Sequence, residues 1–326
     1  MSAPGTDERP TVWIARRLTD ATIERARRDY ELLIDDEDGP NDAERIVEMS
    51  AKVDAIVPCH SEIFDAATVA RLDPRLKIVA NHSVGVDHCD LEALKARGIV
   101  VTNTPDVLND ATAEIVMLLL LGAARRAVEG DRTVRSGAWT DWHPSFLLGR
   151  QVTGRRLGIL GMGGIGKVVA RRARGFDMEV HYHNRTRLPA DEEAGATYHD
   201  TLEGLFAASE FLSVNCPATP ETRHVVNRET LAMLPEGAIL VNAARGAVVD
   251  EGAVLEALES GRLAAAGLDC FEREPGGNPA FAAHENVFML PHLGSATVQT
   301  RDAMGARALD NLDAFFAGGE PRDRLV

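Results

Sequence analysis

Leu157-Gly158-Ile159-Leu160 is a short apolar run that ends at Gly161-Met162-Gly163-Gly164-Ile165-Gly166, and residues 167–174 then carry the spacing of an amphipathic helix. Strand, glycine turn and helix in that order can be built in few ways. Gly161 supplies the tight turn, Gly163 lets the backbone approach a bound group, and Gly166 lets helix and strand pack closely. The N–H groups at the helix start are then available to phosphate. Glycine-rich turns are common by themselves. Here a second apolar strand follows at 179–183, so the run reads as a βαβ unit that holds a dinucleotide.

The same alternation extends along the chain. Candidate strands fall at 12–14, 31–34, 55–57, 78–80 and 99–102, and a second series at 156–160, 179–183, 211–214, 238–242, 264–268 and 287–290. Helical periodicity lies between them, for example at 201–207, 251–260 and 301–316. Short apolar strands separated by helices imply parallel sheets covered on both faces. At 326 residues the chain is about twice a typical domain. Two doubly wound parallel-sheet domains are expected. One is a Rossmann cofactor domain over 108–296. The other is a flavodoxin-like substrate domain built from both termini, 1–107 plus 297–326. A single long helix is expected at 111–136, and after it an excursion from the globule at 137–149 with Trp139, Trp142 and Pro144.

The formal charge of −15 disfavours nucleic acid or an anionic membrane as partner, since both need a basic surface. It leaves room for an anionic substrate, because one Arg can reverse the field inside a cleft. Cys59, Cys89, Cys216 and Cys270 are far apart with no C-x-x-C spacing, so neither a disulfide framework nor a metal site is expected. The polar first ten residues read as no signal peptide, and the apolar run at 115–124 is too short to span a bilayer. A cytoplasmic protein is the expectation.

Three polar residues stand at the ends of late strands in the second series, where doubly wound sheets build their sites. Arg245 follows the strand ending at Asn242, Glu274 follows Leu268-Asp269-Cys270-Phe271, and His292 follows the strand at 287–290. Arg binds a carboxylate with a bidentate fork. His can protonate a carbonyl oxygen while a neighbouring carboxylate holds the imidazolium. Each alone has a plainer reading: a hydrogen-bonded structural His, a surface-loop Arg, a solvated Glu. Together with the nucleotide loop they are what hydride reduction of a 2-oxo acid requires.

At this point the chain resembles the D-isomer-specific 2-hydroxyacid dehydrogenases over nearly its whole length. The resemblance rests on Val84-Gly85-Val86-Asp87, Asp110-Ala-Thr-Ala-Glu114, the glycine loop, Val241-Asn-Ala-Ala-Arg-Gly246, Gly267-Leu-Asp-Cys-Phe-Glu-Arg-Glu-Pro275 and Pro291-His-Leu-Gly-Ser295. It implies an NAD(P)-dependent oxidoreductase with Arg245, Glu274 and His292 as catalytic residues. It also implies that the backbone amides of Val84 and Gly85 hold the substrate carboxylate with Arg245. Thr112, Gly163, Gly164, Ile165, Cys216, Ala243 and Asp269 match cofactor-contact positions, with Gly161 and Gly166 shaping the loop. Asp269 would accept from the nicotinamide carboxamide, and Gly294 and Ser295 would touch cofactor or substrate. The segment 138–148 resembles the glyoxylate/hydroxypyruvate reductase branch. Its excursion at 139–144 is apolar and has aromatic mass without an obvious core of its own, so a homodimer is expected in which Trp142 reaches the partner's active site, the plainer reading being an intrachain core Trp. The alternatives are a dehydrogenase for bulkier D-2-hydroxy acids, or a nucleotide-sensing corepressor of the same fold.

The second strand ends in Asn184-Arg185-Thr186-Arg187, where an NAD-binding Rossmann fold carries an acid for the ribose hydroxyls. Asn184 occupies the acidic position, and Arg185, Thr186 and Arg187 can bond a 2′-phosphate. NADP(H) is therefore the expected cofactor, with NAD(H) possible.

Overall fold

A computed structural model describes residues 9–326, so most of the N-terminal segment read above lies outside the described residues. The apolar runs form strands, and the central ones are buried on both sides, as a helix-covered parallel sheet requires. Two compact units result among the described residues, one of residues 9–108 with 296–326 and one of residues 109–295.

In the first unit the elements are β1 (Thr11–Ile14), α1 (Asp20–Asp29), β2 (Glu31–Ile34), α2 (Ala43–Ser50), β3 (Ala55–Val57), α3 (Ala66–Ala70), β4 (Ile78–Ala80), α4 (Leu91–Ala96) and β5 (Val100–Thr102). The strands are all parallel in the order β2-β1-β3-β4-β5, the flavodoxin order. Asp42, Asp65 and Asp90 start α2, α3 and α4 by accepting from the N–H groups of Arg45, Thr68 and Ala93.

The second unit runs α5 (Asn109–Ala124), α6 (Ala127–Arg135), β6 (Arg156–Leu160), α7 (Gly164–Arg174), β7 (Glu179–His183), α8 (Ala190–Glu193), β8 (Thr197–Tyr198), α9 (Leu202–Ala208), β9 (Phe211–Val214), α10 (Arg228–Met233), β10 (Ala238–Asn242), α11 (Glu251–Glu259), β11 (Leu263–Leu268) and β12 (Val287–Met289). Its seven strands are parallel in the order β12-β11-β10-β9-β6-β7-β8. Successive strands leave β6 in opposite directions, so the ends of β6 and β9 flank the point where such sheets bind ligands. Two apolar clusters cover the sheet, one around Leu119, Val169 and Tyr182 and one around Phe206, Val254 and Phe281.

The last helix, α12 (Val298–Phe316), belongs to the first unit. Its Ala308, Leu309 and Leu312 join Val12, Ile14 and Ile23 in one core. No helix among the described residues is long and apolar enough to cross a membrane.

One expectation is corrected. The single helix expected at 111–136 is two, because Arg126 takes a left-handed conformation at φ 55°. The returning chain stabilises the break: the Arg150 N–H donates to the Ala124 carbonyl at 2.7 Å. That N–H comes from 26 positions away, and neither Gly nor Pro marks the break. β8 also escaped the pattern, since two residues have no periodicity to read.

Candidate active site

The glycine loop follows β6 and leads into α7 without a side-chain cap. The first N–H groups of a helix have no intrahelical partner, so those of Gly164, Ile165 and Gly166 face outward for an anion. Gly161 has φ 94°, and a Cβ there would stand 2.7 Å from the Cys216 nitrogen at the end of β9. A Cβ on Gly166 would stand 2.4 Å from the Gly161 carbonyl oxygen. Nothing lies within 4 Å of the Cβ position of Gly163, which leaves that side of the loop open. These residues fit a dinucleotide pyrophosphate.

At the end of β7, Asn184 Oδ1 accepts from the Met162 N–H at 2.6 Å and so ties this strand end to the loop. Arg185 and Thr186 are exposed. Neither makes a side-chain hydrogen bond or ion pair among the described residues. Arg187 is engaged: its Nε and Nη2 donate to Glu193 at 2.7 and 3.1 Å.

The catalytic candidates share the other half of the sheet. β10, β11 and β12 are parallel neighbours, so the loops after them emerge along one edge. Arg245 follows β10. Asn242 shapes its loop, accepting from the Ala244 N–H at 3.1 Å and donating to the Arg245 carbonyl at 3.0 Å. Arg245 itself donates to the Ala244 carbonyl at 2.9 Å.

Asp269, fully buried at the end of β11, organises the His292 loop. Its two carboxylate oxygens accept from the N–H groups of Leu293 at 2.7 Å and Gly294 at 2.8 Å. Its carbonyl accepts from the His292 N–H at 2.9 Å. Burial raises the Asp269 pKa, and the donated N–H bonds oppose that rise. His292 is held at φ 55°, a left-handed conformation that a bulky residue keeps only when its surroundings impose it. Its Nδ1 meets Glu274 Oε2 at 2.5 Å, while Glu274 Oε1 accepts from the Phe271 N–H at 2.8 Å. The carboxylate is thus oriented from behind and the imidazole from the side.

A Cβ added to Gly294 would stand 3.4 Å from both Asp269 Oδ2 and Thr112 Cγ2, so α5, β11 and the His292 loop converge there. Ala243 is buried after β10, and Ser295 is half-buried just beyond Gly294. In the first unit, Asn103 donates to the Val84 carbonyl at 2.9 Å and Ser83 to the Gly85 carbonyl at 2.7 Å. The N–H groups of Val84 and Gly85 donate to nothing among the described residues. Trp142 is 68% exposed on the segment after α6.

Sequence reading missed Asn242, although an Asn at a strand end before Ala-Ala-Arg-Gly is an Asx-turn signal. It also missed Glu251, which accepts from the Glu272 N–H at 2.8 Å and steadies the approach to Glu274. No local signal marks a pairing 21 residues apart.

Comparisons agree with this geometry. Residues 117–294 match the family model of the D-isomer specific 2-hydroxyacid dehydrogenase, NAD binding domain. The chain is 43% identical to a glycerate dehydrogenase of Hyphomicrobium methylovorum over 305 residues, 93% of this chain and 95% of that protein. It is 44% identical to a glyoxylate reductase of Thermococcus kodakarensis over 323 residues, 96% of this chain and 95% of that one. A crystal structure of an NADPH-dependent glyoxylate/hydroxypyruvate reductase from Sinorhizobium meliloti, in complex with NADP and malonate, superposes with a TM-score of 0.88. The identity there is 35%, covering 98% of this chain and 97% of that one. With a nucleotide loop, an acid–base pair and full-length relatives of one kind, the chain belongs to the D-isomer-specific 2-hydroxyacid dehydrogenases and is an NAD(P)-dependent enzyme of that family.

Proposed function

We infer that the enzyme reduces glyoxylate or hydroxypyruvate to glycolate or D-glycerate and prefers NADPH to NADH. The observation that carries the reaction is the 2.5 Å pairing of His292 with Glu274, on a loop pinned by Asp269. The glycine loop would hold the pyrophosphate of a nicotinamide dinucleotide, which when bound would supply the hydride for the carbonyl carbon. His292, with Nδ1 committed to Glu274, gives the proton from Nε2 to the carbonyl oxygen as it becomes a hydroxyl. In oxidation it takes that proton back. The Glu274 carboxylate holds the ring through Nδ1 and so leaves Nε2 as the nitrogen for substrate. Arg245 binds the substrate carboxylate with its planar fork. Ser295 adds a hydroxyl to substrate or cofactor. Asp269 keeps unused lone pairs after its two backbone bonds, so it can also accept from the carboxamide. Thr112, Cys216 and Ala243 line the cofactor, Cys216 through its backbone.

The substrate assignment is supported by relatives whose names specify glycerate and glyoxylate. The cofactor preference is supported by Asn184 in the acidic position and by the exposed Arg185. The exposed Trp139, Trp142 and Leu148, at 56, 68 and 65%, support a homodimer in which Trp142 walls the partner's active site. The scattered cysteines, none in a disulfide among the described residues, support a cytoplasmic setting.

Steady-state assays with a panel of 2-oxo acids and both cofactors test the proposal. Glyoxylate or hydroxypyruvate with NADPH is expected to give the highest kcat/KM. Faster turnover of a bulkier acid would overturn the substrate assignment, and a preference for NADH would overturn the cofactor assignment.

A further inference from the structure

Behind the turn at the end of β7 lies a polar network that the reaction does not use. Glu193, only 8% exposed, receives both Nε and Nη2 of Arg187. The Tyr182 hydroxyl, fully buried in β7, donates to the same Glu193 Oε1 at 2.6 Å and accepts from the Leu188 N–H at 3.2 Å. The Arg187 guanidinium also lies over the Tyr198 ring, 5.4 Å from its centroid. Arg187 and Tyr182 together pull the Glu193 carboxyl down to about 2, so it is charged at any working pH.

The turn is therefore tied at both ends. Asn184 is bonded to Met162 of the glycine loop, and Leu188 to Tyr182. Between these anchors stand Arg185 and Thr186, both exposed; Arg185 acts on the Glu221 charge, but neither makes a side-chain hydrogen bond or ion pair among the described residues. Arg187, by contrast, spends its fork on a nearly buried carboxylate. A charge-assisted bidentate pair fixes geometry as well as adding energy, and rigid presentation of the neighbouring cation reduces what binding must order.

We propose that Tyr182, Glu193 and Arg187 form a positioning network that presents Arg185 and Thr186 to the 2′-phosphate of NADPH. Arg187 acts through Glu193, not on the phosphate. This rests on the NADPH reading above.

The test is KM and kcat for NADPH and NADH, with saturating glyoxylate, in wild type, Glu193→Gln, Arg187→Gln and the double variant. Each single variant is expected to raise KM for NADPH by roughly tenfold, the worth of one lost charge-assisted contact. KM for NADH and both kcat values should stay within about twofold, since NADH carries no 2′-phosphate for the turn to hold. The double variant should be no worse than the worse single one, because both break the same link. Tighter NADPH binding by Glu193→Gln would overturn the proposal, since Glu193 would then be withholding a phosphate ligand. A double variant worse than either single one, or equal losses for both cofactors, would overturn it too. Should Glu193→Gln not fold, Tyr182→Phe and the exposed Arg187→Gln carry the same comparison. A wild type that prefers NADH overturns the cofactor reading and this network with it. A wild type that prefers NADPH, with unchanged preference in the variants, overturns the network alone.

Discussion

His292 sits in a backbone conformation that a free chain rarely visits, and three hydrogen bonds to Asp269 hold its loop there. Positioned acid–base catalysis contributes roughly 10²–10⁴-fold, so His292→Ala should lose about that much kcat. Glu274→Gln keeps the shape but removes the charge facing the imidazole at 2.5 Å. Loss of that charge removes the group that orients the ring, so kcat for reduction should fall by roughly tenfold or more. A wild-type kcat in that variant would separate Glu274 from the proton transfer. Arg245→Lys retains a point charge and loses the fork, and should remain severely impaired with any 2-oxo acid. Wild-type kcat/KM in that variant would show that charge alone suffices. At this scale the catalytic candidates were legible because Arg, Glu and His are conspicuous after apolar strands. Asn242 and Glu251, which orient the loops, were not, since each looks like an ordinary turn or helix residue until its partner is seen.

Among elements, the turn after β7 carries the cofactor prediction. Each charge-assisted bond contributes on the order of 1.5–3 kcal/mol. Arg185→Ala should therefore weaken NADPH by roughly tenfold or more while sparing NADH. The paired change Asn184→Asp with Arg185→Ala should reverse the preference, and kcat/KM for both cofactors in that variant is the measurement. The βαβ unit around this turn was readable because its signal is local: an apolar strand, spaced glycines and a helix in sequence. The break between α5 and α6 shows the opposite case. Residues 111–136 have continuous helical character, and the first helix stops at Ala124 because its carbonyl finds the Arg150 N–H from a distant segment.

Across the whole molecule, two further outcomes are expected. The apolar segment after α6 leaves Trp142 exposed in one chain, so sedimentation should report a dimer. Trp142→Ala should then admit bulkier 2-oxo acids. A monomer, or an unchanged substrate profile, would count against that arrangement. Acid stability is the second. His82 is 3% exposed in the first unit, and burial, with Arg301 adding to it, lowers its pKa from 6.5 to about 4. The unfolded chain takes up a proton below 6.5 that the folded unit refuses until about 4, so stability is full above 6.5 and drains across that window. At about 1.4 kcal/mol per pH unit the loss is roughly 3 kcal/mol. Urea midpoints at neutral pH and near the bottom of that window should fall further for wild type than for His82→Gln, and equal falls would assign the acid loss to other groups.

The sequence by itself determined the class of fold, because strand and helix periodicity follow from which residues must face a core and need no knowledge of partners. It determined the kind of cofactor for the same reason, since a glycine loop between strand and helix is a local geometric demand. Only the tertiary structure decided that Asp269 grips the His292 loop and that Glu193 takes the fork of Arg187. Glu193 lies only six residues beyond Arg187, yet its burial depends on Tyr182 in the neighbouring strand. A charged side chain chooses among competing partners by distance and burial, and neither exists before the sheet brings its strand ends together.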